Sequence, residues 1–302
     1  MHRIAFAAIL WTGTAAAADP PTVVADIPPV HSLVTQVMEG VGEPVLLLDG
    51  SASPHHGSLR PSQARALAQA DAVFWIGHGL TPWLEETIEQ GDATSLALLE
   101  WPATVRLPLR EDMAANDDHD HDHDHGHDEE VTDPHAWLDP QNAILWLGEI
   151  AATLGEIDPR NAAQYGANAR AAMAEIKALS ARIDARLDPH EGASIAVAHD
   201  AFHYFEDRFG LSAVAALSPG DDVREVPSRI RAVGTALKDG TARCLLAEPG
   251  GRMPDRLVAG TTAKVVRLDP LGSSFDPGPD LYVAMLDRMA TAVADCLSEG
   301  SG

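Results

Sequence analysis

Short apolar runs rich in β-branched residues recur along both halves of the chain. In the first half they cover 22–27, 45–48, 72–76 and 104–107, and in the second half 194–198, 211–217, 244–247 and 263–268. Stretches with a helical pattern, such as 61–70, separate these runs. Apolar runs that alternate with helices are typical of parallel sheets covered on both faces. The pattern therefore predicts an α/β fold with two α/β lobes, each containing a central parallel sheet.

A long polar stretch with a single apolar face separates the two halves. It begins with Asp-Pro at 158 and ends before a second Asp-Pro at 188. Its apolar residues recur every three or four positions, which predicts one amphipathic helix: Ala172, Ile176, Leu179, Ile183 and Leu187. At 1.5 Å per residue this helix spans about 45 Å, enough to lie along both lobes as a rigid strut that limits hinge motion. We therefore predict an N-terminal lobe at 19–157, a linker helix at 158–188 and a C-terminal lobe at 189–302.

The first 18 residues have the composition of an export signal. His2 and Arg3 precede an apolar run at 4–11, and small residues follow up to Ala18. This order is typical of a cleaved secretory signal peptide, here residues 1–18, with a retained N-terminal anchor as the alternative. No later segment approaches the roughly 18 apolar residues that a membrane helix needs. We expect a soluble protein outside the cytoplasm.

The composition is that of a globular protein with a strongly acidic charge balance. Hydrophobic residues make up 45% of the 302 positions and charged residues 22%, which is typical of folded domains. Asp and Glu number 45 against 21 Lys and Arg, so the formal net charge is -24. Such a charge repels phosphate backbones and anionic lipids. We expect no nucleic-acid partner.

The chain contains two cysteines, Cys244 and Cys296. Exported proteins with an even number of cysteines usually pair them, so we predict a Cys244–Cys296 disulfide. Their wide separation lacks the close spacing of thiolate zinc sites.

An acidic low-complexity segment, 116–130, carries five histidines at alternate positions between aspartates: His119, His121, His123, His125 and His127. Without apolar residues it cannot form a core, and we expect a mobile loop. Imidazoles and carboxylates bind zinc, copper and nickel, so the loop is interpreted as an auxiliary site for metal capture or buffering. A merely solvated acidic loop is the alternative.

Three further histidines follow predicted strands or the acidic loop. His55 comes after the second apolar run, His135 after the loop, and His199 at the end of the fifth run. Ligands of open α/β sheets bind outside the carboxyl ends of the strands, so loops from both lobes can meet in a cleft between them. Three imidazoles there would supply most of a tetrahedral zinc site.

The motifs around these histidines resemble those of the zinc-specific solute-binding proteins of bacterial ABC importers (the metal-binding cluster A-I family). They are SLRPSQ after His55, DPHAWLDP around His135, AHDAFHYFE around His199, CLLAEP at 244–249 and LDPLG at 268–272. The resemblance covers the whole chain after the signal, including both cysteines and the His-rich loop. It implies a periplasmic receptor with Zn²⁺ in an interlobe cleft, an ABC permease and its ATPase as partners, and no catalysis by this chain. A periplasmic zinc chaperone is a further candidate partner, and we expect a monomer.

The resemblance also assigns site residues. It implies that His55, His135 and His199 are metal ligands, and that the fourth ligand is Asp269 or water. The family's acidic residue before the first histidine is Pro54 here, so that ligand is absent. His56, Asp200 and Glu248 are further candidates to hydrogen-bond the ligand histidines, since metal-bound imidazoles usually donate their second N–H to a carboxylate or carbonyl. The alternatives are a solvent-facing His56 and a helix-capping Asp200.

Two alternative functions remain open from the sequence. A manganese or iron receptor of the same fold would normally replace a histidine ligand by a carboxylate. A zinc hydrolase or lyase could also use three histidines and water, but no HExxH or Gly-x-Ser-x-Gly signature occurs.

Overall fold

The computed structural model describes residues 19–50, 53–110, 131–218, 220, 226–249 and 254–299. Within them, two four-stranded parallel sheets form the centres of two lobes. The first sheet has the order β2-β1-β3-β4 and the second the order β6-β5-β7-β8. The strands are β1 (Val23–Ala25), β2 (Val45–Leu46), β3 (Ala72–Trp75), β4 (Thr94–Ala97), β5 (Ser194–His199), β6 (Ser212–Ser218), β7 (Cys244–Ala247) and β8 (Lys264–Arg267). The predicted fold of two α/β lobes is confirmed.

Helices cover the sheets and connect the strands. The first lobe contains α1 (Pro28–Met38), α2 (Pro61–Ala68), α3 (Pro82–Glu89) and α4 (Pro140–Ile157), and α5 (Ala162–Leu187) leads to the second lobe with α6 (His203–Phe209), α7 (Pro227–Lys238), α8 (Pro254–Val258) and α9 (Leu281–Ser298). Proline lies in the first turn of α1, α2, α3, α4 and α7. Its fixed φ suits that position, and its missing N–H has no helical acceptor there. None of the described helices is both long and apolar enough to cross a membrane.

The fourth strand of the first sheet lies at Thr94–Ala97, so the predicted strand at 104–107 is wrong. Thr94 and Ser95 are exposed because β4 is an edge strand, and a continuous apolar run is not required there. The segment at 104–107 instead leads to Pro108, which forms a β-bridge with Thr132. Residues on both sides of 111–130 are therefore paired with each other.

The long helix between the lobes is present with the predicted buried face. Ala172, Ile176, Leu179, Ile183 and Leu187 are all buried on α5, which contacts α1 and α4 of the first lobe and α9 of the second. Its start is later than predicted.

Asp158 was predicted to begin the long helix, but it lies at the end of the preceding helix, α4. The Asp158 amide donates to Leu154 O at the end of α4, and its carboxylate accepts hydrogen bonds from Asn161 and Tyr165. At 26 residues, α5 is about 39 Å long.

The predicted disulfide joins Cys244, the first residue of β7, to Cys296 near the end of α9. Both cysteines are buried. The bridge therefore attaches the C-terminal helix to a central strand of the second sheet. The predicted signal peptide 1–18 and the His-rich loop 116–130 lie outside the described residues.

Replacing both cysteines by alanine should lower the free energy of unfolding by about 4 kcal/mol, because the bridge closes a long loop in the unfolded chain. Urea unfolding of the zinc-free protein, followed by circular dichroism, measures this change. Adding reductant to the unmodified protein should give the same loss and should leave the double variant unaffected. A loss below about 1 kcal/mol would contradict the prediction.

Candidate metal centre

His199 is the last residue of β5 and points into the space between the lobes. Its side chain is largely buried, and its Nδ1 lies 2.9 Å from Oε1 of Glu248. Glu248 directly follows β7, and β5 pairs with β7 in the sheet. The pairing of these strands thus brings the carboxylate to the imidazole. With the proton on Nδ1, Nε2 is the nitrogen left for a metal.

His135 precedes a short 3₁₀ helix, Ala136–Leu138, and is 4% exposed. Its Nδ1 donates to Oδ1 of Asp133 at 2.7 Å, and its backbone N–H donates to the same oxygen at 2.9 Å. Asp133 therefore fixes both the backbone and the ring of His135. As with His199, the hydrogen bond at Nδ1 leaves Nε2 for a metal.

The Asp133 carboxyl is buried but ionised. Burial raises its pKa, yet the charge of His135 and the hydrogen bonds from the ring and backbone of His135 outweigh burial and hold the pKa well below its usual range. His203 approaches the second oxygen of Asp133 at 3.6 Å. Asp133 is therefore an acceptor for His135 throughout the neutral and mildly acidic range.

His55 lies on the loop between β2 and α2 and is half-buried. The loop is attached to α3 through Trp83, whose Nε1 donates to Pro54 O at 2.9 Å. Gly57 packs directly against the same ring, because a Cβ at this position would come within 2.6 Å of it. Trp83 therefore holds the loop on both sides of His55.

The structure brings His55, His135 and His199 together. One ring nitrogen from each lies within 4.8 Å of the others, so the group could hold one metal ion. The ring centroids are 5.1 Å apart for His135 and His199, 5.4 Å for His55 and His135, and 6.1 Å for His55 and His199. The three imidazoles line a cavity of 510 Å³ between the lobes, together with residues that include Glu248, Asp269 and Trp137.

Asp269 lies on the wall of the same cavity but is not a member of the histidine group. Its carboxylate accepts hydrogen bonds from the backbone of Ser273 and Ser274 and from the Ser273 hydroxyl. These bonds stabilise the turn after β8. As a fourth ligand, Asp269 stays a prediction.

The other predicted site residues have different surroundings. His56 is exposed and also lines the cavity, whereas the buried Asp200 forms an ion pair with Arg110. Their supporting roles stay predictions, as does that of Glu248, although the Glu248 carboxylate does contact His199. The five histidines of the loop lie outside the described residues.

Sequence reasoning missed Asp133, the acceptor of His135. The signal was present, since Asp133 lies two residues before His135 in the motif DPH. Short side chains at this spacing often accept a hydrogen bond from the backbone two residues on. Tyr204, which bonds Asp133 O, and Arg110, which pairs with Asp200 next to His199, had no comparable local signal in the sequence.

Two α/β lobes with three convergent imidazoles between them define a metal-binding protein of the two-lobed receptor class. The family model described as "Zinc-uptake complex component A periplasmic" matches residues 23–296, and the chain belongs to this family. The high-affinity zinc uptake system protein ZnuA of Paracoccus denitrificans is 40% identical, over 97% of each chain.

Solved structures show the same fold. A crystal structure of ZnuA has a TM-score of 0.76 at 22% identity and covers 92% of this chain and 99% of that one. The binding protein FpvC of Pseudomonas aeruginosa in complex with Mn²⁺ also has a TM-score of 0.76 at 22% identity, with coverage of 94% and 100%.

Asp133→Asn and Glu248→Gln should each lower the affinity for Zn²⁺ by about 10- to 100-fold, because a charged acceptor behind an imidazole raises its basicity and fixes its orientation. Competition titration against a chromophoric chelator measures the affinity. Asp239→Asn is the matched control, since this exposed residue precedes β7 at the edge away from the cavity. If both site variants bind zinc as tightly as the control, the carboxylates do not support metal ligands.

Proposed function

We propose that this protein is an extracytoplasmic receptor that binds Zn²⁺ with high affinity and delivers it to an ABC importer. The observation that carries the proposal is the group of three histidine nitrogens within 4.8 Å in the interlobe cavity. Membership in the zinc-uptake family supports it. The partners would be a membrane permease and its ATPase. The proposal includes a periplasmic location, export by a signal peptide at 1–18 and a monomeric receptor.

The donor set favours zinc as the cargo. Zinc prefers tetrahedral sites with nitrogen and sulfur ligands, and three neutral imidazoles provide three of the four positions. Asp269 or a water molecule would complete the site. With the carboxylate, the site and its ion would carry a net charge of +1.

A manganese or iron receptor of the same fold is the second candidate. The similarity to FpvC in complex with Mn²⁺ is a reason to consider it. However, manganese favours oxygen ligands, and the convergent group contains three nitrogens. A three-histidine hydrolase or lyase would also need a general base near the metal. The nearby carboxylates of Asp133 and Glu248 are already hydrogen-bonded to imidazoles.

The His-rich loop is proposed as an accessory capture site. The described residues on either side of the loop pair with each other, since Leu109 N donates to Val131 O at 2.7 Å and Asp133 N donates to Leu107 O at 2.9 Å. Asp133 in turn contacts His135. We propose that the loop passes collected metal to the central site, with a periplasmic zinc chaperone as a further source.

Deleting 116–128 should leave one tightly bound zinc ion per protein, since the proposed central ligands lie elsewhere. Adding His135→Ala to the deletion should weaken that binding by more than about 100-fold, beyond the effect of losing an outer partner. Zinc competition titration with a high-affinity chromophoric chelator checks both variants. Loss of all tight binding on deletion alone would instead make the protein a loop-based metal buffer.

Zinc affinity should fall as the pH decreases from about 8 to 5.5, by at least about tenfold, because protons compete with the metal for the imidazoles. The low pKa of Asp133 keeps its carboxylate ionised over this range, so the change reports on the histidines. The titration is best made on the protein lacking 116–128, which removes the loop histidines. An affinity that does not vary with pH would contradict imidazole ligation.

A further inference from the structure

We propose that His135 and His199 form a preformed pair held by one rigid unit, and that His55 is the ligand that closes and opens the site. In this proposal Tyr204 and Arg110 are positioning residues, because they attach the His135 segment to the lobe that carries His199. The inference rests on the proposed function. It goes beyond that function by stating that His135 and His199 stay in place when the ion enters and leaves.

The first link between the His135 segment and the second lobe is the hydroxyl of Tyr204 on α6. It accepts a hydrogen bond from Leu107 N and donates one to Asp133 O, both at 2.9 Å. Leu107 and Asp133 are themselves joined by a backbone hydrogen bond. The paired segments 107–109 and 131–133 form a short stem that leads into His135, and the buried Tyr204 side chain bonds both of them. Burial raises the pKa of Tyr204, so its hydroxyl remains a donor.

The second link is the ion pair of Arg110 with two buried carboxylates. The Arg110 guanidinium contacts Asp200, which follows His199 directly, and Glu206 on α6 at 2.8 Å. The side chains of Asp200 and Glu206 are each only 1% exposed. A buried carboxylate that loses its partner is strongly unfavourable, so this contact resists separation.

Further contacts bind the segment 131–139 to the second lobe. Asp139 forms a two-pronged pair with Arg208 on α6, at 2.6 and 2.7 Å. Trp137 donates through Nε1 to Pro270 O and accepts from the Tyr282 hydroxyl at its carbonyl, both at 2.8 Å. This segment also bonds the first lobe, since Asn142 on α4 donates to Ala136 O at 3.1 Å. Its bonds to Tyr204, Arg208, Pro270 and Tyr282 nevertheless tie His135 to the lobe that contains His199.

His55 is held by the first lobe rather than by the lobe that contains His199. Its loop is attached through Trp83 on α3, in the first lobe. The side chain is half-buried, whereas His135 and His199 are buried. The ring centroids of His135 and His199 are also the closest of the three pairs, at 5.1 Å. Displacement of the His55 loop would therefore open the site without breaking the contacts that hold the other two histidines.

The first test compares three single variants of the protein lacking 116–128 by zinc competition titration. His55→Ala should retain residual binding at least about tenfold tighter than His135→Ala or His199→Ala, because the remaining pair is already in position. Equal losses in all three variants, or the greatest loss for His55→Ala, would overturn the preformed pair while leaving the proposed function intact. If none of the three variants changes the affinity, the proposed function itself fails.

The second test examines the positioning role of Tyr204. Tyr204→Phe should raise the rate of zinc dissociation into excess chelator by at least about threefold, since each lost hydrogen bond loosens the His135 stem. Tyr165→Phe is the control, because it also removes a buried hydroxyl, which bonds Asp158 at 3.2 Å in the α4–α5 turn. The control should lower stability without changing zinc dissociation.

A double-mutant cycle separates positioning from general destabilisation. The effect of Tyr204→Phe on zinc affinity should persist with His55→Ala and should disappear with His135→Ala. An effect of the same size in both backgrounds would mean that Tyr204 acts only on stability. No change in zinc binding by Tyr204→Phe in the unmodified background would also overturn its positioning role.

Discussion

A buried imidazole that binds a metal usually donates its second ring N–H to a carboxylate, a backbone carbonyl or water. In this protein two carboxylates are these acceptors, Asp133 for His135 and Glu248 for His199. Each holds the proton on Nδ1 and directs Nε2 towards the cavity. Without them, two polar rings would be buried at a cost in free energy and without a fixed orientation. The orientation of His135 and His199 therefore depends on these two pairs.

The order of strands explains how such pairs form from residues far apart in sequence. In the second sheet β5 lies between β6 and β7, so the carboxyl ends of β5 and β7 are neighbours. His199 and Glu248, which are separated by 49 residues, emerge there side by side. Asp269 follows β8, the next strand in the same sheet. Parallel pairing thus concentrates polar side chains along one edge, opposite the loop that carries His55.

The sequence was informative where a pattern is local and uninformative where contacts cross the lobes. The buried face of α5 and most strands followed from apolar spacing, and the three histidines were recognised by their motifs. The edge strand Thr94–Ala97 was missed because two of its residues are polar and exposed. Arg110 and Asp200 are 90 residues apart in sequence, and no local pattern around either residue predicts their contact. Such pairings depend on how the lobes are placed, which no local periodicity encodes.

The ion pair of Arg110 also bears on which metal the site favours. Asp200 and Glu206 lie close to His199 in sequence, and free carboxylates near the cavity would offer oxygen ligands of the kind that manganese prefers. Arg110 engages both, so their oxygens are committed to a guanidinium. Asp133 and Glu248 are likewise occupied by imidazoles. The carboxylates around the histidines therefore act mainly as hydrogen-bond and ion-pair partners. Among the described residues, the convergent group in the cavity is the three imidazole nitrogens, and Asp269 on the cavity wall is the carboxylate that is not paired with an imidazole or a guanidinium. Nitrogen donors of this kind are typical of zinc sites, whereas harder ions prefer oxygen.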